Sequence, residues 1–176
     1  MKGMISLYYI PIPTVYPYAY GAYPSIHNPA DFQRQYHPKD HGSQPFVVDI
    51  KEAAKQNRTF RTALWTGDHL QVTLMSIDVG DDIGLEVHHD HDQFLRIESG
   101  QGFVQMGDHA EQMDFQRRVY ADYAIMVPAG KWHNLTNTGN RPLKLYSIYA
   151  PPEHPYGTIH ETKEMAMADE EHHQYK

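Results

Sequence analysis

Short strand-like runs recur about every ten residues between positions 70 and 150, and this rhythm is the strongest constraint on the fold. The runs are LQVTLMSI, GLEVH, QFLRI, GFVQM, AIMVP and LKLYSIYA, and glycines at 80, 100, 102, 107, 130 and 139 punctuate them. Many short strands separated by turn residues are typical of an all-β sandwich or barrel. The sequence therefore predicts an all-β domain.

The flanks of this region differ from it in composition. Residues 1–45 hold seven of the twelve prolines and seven of the thirteen tyrosines, which predicts an extended arm. The arm is interpreted as a flexible tail, as a packing segment on a neighbouring subunit, or as an attachment to a surface or spore layer. One short helix is predicted in DIKEAAKQN, with Asp49 as N-cap and Glu52 in its first turn. The predicted divisions are the arm at 1–45, the main domain at 46–152 and a polar acidic tail at 153–176.

The charge balance and the missing cysteines exclude several classes of function. The net charge is 15 − 22 = −7 and no basic cluster is visible, so a nucleic-acid partner is not expected. The chain has no cysteine, which excludes a disulfide framework and thiol catalysis. No run approaches the ~18 apolar residues of a membrane span, and the proline-interrupted N-terminus does not resemble a signal peptide. The expected location is the cytoplasm.

Four polar side chains are predicted to converge inside the domain. Alternation along a strand puts Glu86 and His88 on one face, and it puts Gln93 on the same face as the apolar Leu95 and Ile97. His133 follows a Pro-x-Gly turn in VPAGKWHNLTN. The set Glu86-x-His88, Gln93 and His133 is therefore a candidate metal site.

The spacing of these residues resembles that of the cupins. Their first motif, G-x5-H-x-H-x(3,4)-E-x6-G, is matched in spacing from Gly80 to Gly100, with Glu86 and Gln93 replacing a histidine and the glutamate. Their second motif, G-x5-P-x-G-x2-H-x3-N, is matched from Pro128 to Asn137, with Asp122 at the leading glycine. His89-x-His91 breaks the spacing and is expected at a strand end or in a turn. The resemblance covers residues 65–150.

This resemblance implies a single cupin β-barrel, a double-stranded jelly roll, within 46–152. It also implies a divalent metal on Glu86, His88, Gln93 and His133, a donor set that suits Zn, Mn, Fe or Ni. The alternative is a barrel whose polar residues line a site that has lost its metal. Sheet edges must be covered, and with the aromatic arm this favours a homodimer.

The ligand types are similar to those of mannose-6-phosphate isomerases, which hold zinc with glutamine, histidine, glutamate and histidine. This similarity implies a metal-dependent isomerase of a sugar or sugar phosphate, with Lys131 and His91 as candidate proton-moving residues and Tyr123 as a further one. Two alternatives stay open. One is a metal-dependent dioxygenase on Glu86, His88 and His133. The other is a non-enzymatic sugar-binding or structural module.

Overall fold

A computed structural model describes residues 39–173 of the chain, with side chains up to 169, and the predicted arm lies almost entirely outside this range. In chain order the described elements are α1 (Ile50–Gln56), β1 (Arg61–Thr66), β2 (Gln71–Ile77), β3 (Asp92–Ser99), β4 (Gln101–Gly107), β5 (Phe115–Tyr120), β6 (Ala124–Val127), β7 (Trp132–Asn137), β8 (Leu143–Ala150), β9 (Ile159–His160) and α2 (Lys163–His173). None of the described helices is long and apolar enough to cross a membrane.

The strands form two antiparallel sheets packed as a jelly roll. The larger sheet has the order β6-β3-β8-β2-β1-β9, and the smaller has the order β5-β4-β7. Between residues 39 and 173 no ladder joins the two sheets into a closed barrel, so the predicted barrel is a sandwich in its hydrogen bonding. The fold class predicted from the sequence, an all-β jelly roll, is confirmed.

The main core lies between the two sheets and follows from the alternation of apolar residues. Leu95 and Ile97 of β3, Val104 of β4 and Leu135 of β7 all point into it. A second cluster covers the outer face of the larger sheet, where Ala53 of α1 packs with residues of β1, β2 and β8. The larger sheet is therefore buried on both faces. The predicted helix and its Asp49 cap are confirmed, since Asp49 Oδ1 accepts from Glu52 N at 3.1 Å.

The glycine positions of the two sequence motifs share one backbone conformation. Gly80, Gly100 and Gly130 have φ angles of 81°, 99° and 77°. Asp122 takes the place of the leading glycine of the second motif, and its φ is 72°. Aspartate is one of the few residues that tolerate this left-handed region. The exchange of glycine for aspartate therefore leaves the turn in place.

The acidic tail corrects a prediction. Residues 163–173 form a second helix, α2, where the sequence indicated one short helix in the chain and a tail with little core potential. Ala166 is fully buried in the main core and Met167 packs against it. Lys163 Nζ contacts Asp81 Oδ1 at 2.7 Å and Asp82 Oδ1 at 2.8 Å. The helix α2 is held by two apolar residues and one ion-pair cluster, so its sequence has no amphipathic period. The sequence pattern therefore did not reveal this helix.

Two further sequence assignments differ in detail. The GLEVH run forms no strand, and Glu86 makes an isolated bridge to His133 instead. The run FQRRVY, which is not among the strand-like runs identified from the sequence, forms β5, with Arg117 and Arg118 exposed within it. Most of β5 faces solvent, which removed the apolar alternation that identifies a strand.

Candidate metal centre

Backbone pairing brings Glu86 next to His133. Glu86 N donates to His133 O at 3.1 Å, and His133 N donates to Glu86 O at 2.9 Å. Gly130 N donates to His88 O at 2.7 Å, so the 84–88 segment is fixed on both sides of Glu86. Directly opposed residues of an antiparallel pair project their side chains to the same side. The two side chains therefore meet, although 47 positions separate them.

Three side chains converge at this point. Glu86 Oε1 lies 3.1 Å from His133 Nε2 and 3.6 Å from His88 Nε2. One donor atom from each of the three residues lies within 4.8 Å of the other two. The imidazoles are almost fully buried, with side-chain exposures of 1% for His133 and 8% for His88. Two imidazole nitrogens and a carboxylate oxygen are donors that a divalent transition metal accepts.

Each histidine has its other ring nitrogen against an acceptor. His133 Nδ1 lies 3.0 Å from Lys131 O, and His88 Nδ1 lies 3.5 Å from Glu153 Oε1. Outer partners of this kind fix the orientation of metal-ligating histidines. Both Nε2 atoms are thereby directed at Glu86.

Hydrogen bonds also orient the side chain of Gln93 and leave its carbonyl oxygen without a partner among the described residues. Its Nε2 donates to Ser147 Oγ and to Tyr149 Oη, both at 3.0 Å. Ser147 Oγ donates its own proton to Phe94 O at 3.3 Å, which leaves its lone pairs for the glutamine. The Oε1 atom of Gln93 is buried and has no hydrogen-bond partner among the described residues. A buried acceptor without a partner is costly unless a ligand satisfies it.

The comparisons with known proteins agree with this fold. The cupin domain family matches residues 73–149, a range that includes all four predicted ligands. The chain is 61% identical over 151 residues to the uncharacterized protein YrkC of Bacillus subtilis (strain 168), covering 83% of this chain and 81% of that one.

This chain belongs to the cupin superfamily.

Two more relatives of this cupin are informative. The uncharacterized protein L612 of Acanthamoeba polyphaga mimivirus is 37% identical over 118 residues, which cover 66% of this chain and 72% of that protein. The crystal structure of BH2720 from Bacillus halodurans is 68% identical, with a TM-score of 0.73, and the match covers 74% of this chain and 98% of that one. The fold thus has a solved counterpart at high identity.

Glu86 of this cupin is held ionised. Burial alone raises the pKa of Glu86, but the hydrogen bonds from His133 and His88 outweigh it, and the charge of Arg61 adds to them. The pKa of Glu86 is therefore well below its usual range. Arg61 itself is buried, with one guanidinium nitrogen 3.9 Å from Glu86 Oε2. Burial alone lowers the pKa of His88, but its contacts with Glu153 and Glu86 outweigh burial and raise this pKa to about 9.

A loop after β8 forms the outer side of this centre. Glu153 Oε2 lies 3.4 Å from His91 Nε2, while the other carboxylate oxygen faces His88. Gln71 holds the loop by accepting from His154 N at 2.9 Å and donating to His154 O at 2.8 Å. Asp40 Oδ2 accepts from Gly157 N at 3.0 Å. Two buried polar side chains therefore fix the loop that carries Glu153.

The two residues predicted to move protons occupy different places. His91 lies beside the cluster, with its ring stacked on that of His88 at 4.7 Å between centroids. Lys131 pairs with the Asp108 carboxylate and lines a separate pocket with Phe115 and Met126. Its backbone oxygen, not its amine, contacts the centre. Tyr123, the further candidate, is half exposed and stacks edge-on with Tyr120.

Sequence reasoning missed Arg61, Tyr149 and Glu153 at this centre. Arg61 lies in β1, which the strand analysis did not identify, while Tyr149 and Glu153 stand in the run LYSIYAPPEHPYG. The sequence signal available for Tyr149 and Glu153 was an aromatic residue near the end of an apolar strand, followed by an acidic residue among prolines. Trp132 also lines the pocket that includes Glu86 and His88.

Proposed function

We propose that this cupin holds a divalent metal ion on Glu86, His88, Gln93 and His133 and isomerises small α-hydroxy carbonyl compounds of the sugar type. The observation that carries the proposal is the direction of the donors. Two Nε2 atoms point at one carboxylate, and their outer nitrogens already have acceptors. The unpartnered carbonyl oxygen of Gln93 supplies a fourth donor from β3.

The donor set suits a catalytic rather than a purely structural ion. Two neutral imidazoles, one carboxylate and one carboxamide have a net charge of −1, and four protein donors leave room for substrate on Zn, Mn, Fe or Ni. When bound, such an ion polarises a carbonyl group and stabilises the negative charge that develops on its oxygen. The donor types shared with mannose-6-phosphate isomerases support this class of reaction.

Glu153 is the proposed proton-moving group, with His91 as its partner. The Glu153 side chain is about one-third exposed at the pocket wall, and His91 Nε2 lies behind it. In an aldose–ketose exchange one C–H proton leaves the carbon beside the carbonyl and returns to the former carbonyl carbon. One hydroxyl proton moves between the two oxygens, so no co-reactant is consumed. A carboxylate in contact with an imidazole can transfer both protons.

Metal analysis with matched variants tests the proposal. Untagged protein should contain near-stoichiometric metal, and Glu86→Ala and His133→Ala should lose it. The reconstituted protein should then exchange the C2 proton of aldoses with D₂O, observed by NMR, and Glu153→Gln should lose this exchange while keeping its metal. Protein that stays metal-free after reconstitution contradicts the proposal and favours a sugar-binding or structural module.

Metal-dependent dioxygenation is a second candidate. The convergence of Glu86, His88 and His133 gives two histidines and one carboxylate, which is the donor set of many non-haem iron oxygenases. Oxygen uptake by the Fe(II)-loaded protein with an enediol substrate would support this function over isomerisation.

We also propose that the protein is a homodimer. The support is exposed apolar surface near the outer strands β5 and β6, where Phe115 is 47% exposed and Met126 is 66% exposed. Sheet edges and such side chains are commonly covered by a partner. Light scattering coupled to size exclusion measures the mass, and a monomer at micromolar concentration contradicts the proposal.

A further inference from the structure

A pocket adjoins the proposed metal centre on its outer side. Its volume is about 400 Å³, and Glu86 and His88 form part of its wall. The rest of the wall includes Trp132 from β7, Glu153 from the loop after β8, and Asp169 from α2. A cavity of this volume lies at the lower end of the range for small-molecule sites.

Carboxylates are the main charged side chains of the wall. Glu86, Glu153 and Asp169 line the pocket, and no lysine or arginine is among its described lining residues. Arg61, the nearest buried cation, lies against Glu86 Oε2 at 3.9 Å. Recognition of a phosphate group requires arginine, lysine or free backbone amides aimed at its oxygens. The wall offers no such cation.

Two imidazoles, those of His154 and His160, line the same space. Burial, with repulsion from Arg61, lowers the pKa of His154 to about 2, so its ring stays uncharged at working pH. His154 Nε2 and His160 Nδ1 are buried and have no hydrogen-bond partner among the described residues. His160 uses its other nitrogen on Asp169 Oδ2 at 3.2 Å. Unpartnered ring nitrogens beside carboxylates are well suited to the hydroxyl groups of a ligand.

Trp132 adds a flat apolar surface to this polar wall. It is half-buried, and its neighbour His133 points to the opposite side as a proposed ligand. An indole ring provides a large contact area with a negative face, which attracts the C–H groups of a hydroxylated ring or chain. Carboxylates, imidazoles and one indole are therefore grouped around a single cavity.

We infer that this pocket binds a neutral polyhydroxylated compound of monosaccharide size and discriminates against its phosphorylated form. The inference rests on the proposed function, because it names the substrate class of the same site. Hydroxyl groups pair with the acids and imidazoles, whereas a phosphate group meets three carboxylates and no lysine or arginine among the described lining residues. The substrate class thus differs from the sugar phosphates that the similarity to mannose-6-phosphate isomerases implies.

Fluorescence of Trp132 measures binding without relying on activity. The chain has two tryptophans, so Trp65→Phe leaves Trp132 as the single indole reporter. Zinc-loaded protein is titrated with a panel of four- to six-carbon aldoses, ketoses and sugar alcohols, each paired with its terminal phosphate. Saturable binding is expected for at least one neutral member, with its phosphate bound at least tenfold more weakly. Equal or tighter binding of the phosphates, or no saturable binding in the panel, overturns the inference.

A charge reversal inside the pocket sharpens the test. Asp169→Lys places a cation on the wall and is expected to bring the phosphorylated ligand within threefold of the neutral one. Glu161→Lys makes the same change in charge on an exposed residue that does not line the pocket, and should leave the preference unchanged. An unchanged preference in Asp169→Lys, with the fold verified by circular dichroism, contradicts the role given to the acidic wall.

The two proposals fail in different ways. If neutral sugars bind and no metal form exchanges their C2 proton, isomerisation is wrong and the substrate class stands. If sugar phosphates are isomerised faster than their neutral counterparts, the isomerase proposal stands and the substrate class is wrong.

Discussion

The two sides of the proposed site are built in different ways. The inner wall consists of Glu86, His88, Gln93 and His133, which are held by strands β3 and β7 and by backbone pairing along the 84–88 segment. The outer wall consists of the loop 151–160 and Asp169 of α2. Its β9 part pairs with β1 at the edge of the larger sheet, and side-chain contacts of Gln71 and Asp40 with the loop and of Lys163 with Asp81 and Asp82 hold the rest.

We expect this difference to separate metal binding from substrate selection in the proposed site. Backbone hydrogen bonds between Glu86 and His133, together with strands β3 and β7, hold the proposed donors, so we expect their positions to vary little. We expect the outer wall, which lies at a sheet edge and rests partly on side-chain contacts, to open at lower free energy than the inner wall, as elements that admit ligands commonly do. Changes to the outer wall should therefore alter binding and dynamics while the metal stays in place.

Loss of one inner-wall ligand is the largest expected effect. His133→Ala removes a buried imidazole that contacts Glu86, and metal affinity should fall by more than about 100-fold, since even outer partners of ligands contribute 10–100-fold. Elemental analysis and calorimetry measure this. His109→Ala, an exposed histidine in a turn, is the matched control and should bind metal normally.

A change in pH is expected to have the next largest effect on metal affinity. Contacts with Glu153 and Glu86 overcome burial and raise the pKa of His88 from 6.5 to about 9, so binding must displace a proton at lower pH. Affinity should rise about tenfold per pH unit up to that value. In the metal-free protein, the stability contributed by His88 is complete below pH 6.5 and is lost as the pH rises through about 9. Affinity that is flat between pH 6.5 and 8.5 contradicts this.

An outer-wall substitution tests the division between the walls. Glu153→Gln removes the carboxylate next to His88 Nδ1 but leaves all four ligands, so we expect about a tenfold loss of metal affinity rather than a complete one. Glu161→Gln is the control on the exposed surface. A loss of metal affinity as large as that of His133→Ala would indicate that Glu153 is a direct ligand. It would contradict the division between the inner and the outer wall.

The ion-pair anchor of α2 gives the smallest effect. Lys163→Met removes both contacts with Asp81 and Asp82, which are partly exposed, and should lower the free energy of unfolding by about 1 kcal/mol or less. Hydrogen exchange should accelerate in 163–169 and not in β3. Lys55→Met, which removes the exposed pair with Glu52, is the matched control.

Acid should weaken the same anchor. Burial raises the pKa of Asp82, but the bonds from Lys163 and Gly84 prevail and lower it below 3.8. Its stabilisation is therefore present above about pH 4 and is lost as the pH falls through the lowered value. Exchange in α2 at pH 3 that equals that at pH 6 contradicts this.

The sequence predicted the inner wall better than the outer wall for a physical reason. Alternation and motif spacing depend on backbone geometry, so they placed Gln93 beside Leu95 on the inward face and paired Glu86 with His133 in one site. Glu153, Arg61 and Asp169 depend on tertiary contacts with residues distant in sequence, and such contacts have no local period. The sequence also did not reveal the orientation of Lys131. Its side chain pairs with Asp108 away from the site, and its backbone oxygen contacts His133.

The paired backbone hydrogen bonds between Glu86 and His133 have a consequence for protein redesign. They hold the two α-carbons at a set separation whatever side chains those positions bear. Metal preference is therefore open to alteration by exchanging donor types, for example Gln93→Glu to add a second carboxylate and tighten divalent-ion binding, without rebuilding the scaffold. We expect a single substitution of this kind to change the metal preference of the proposed site.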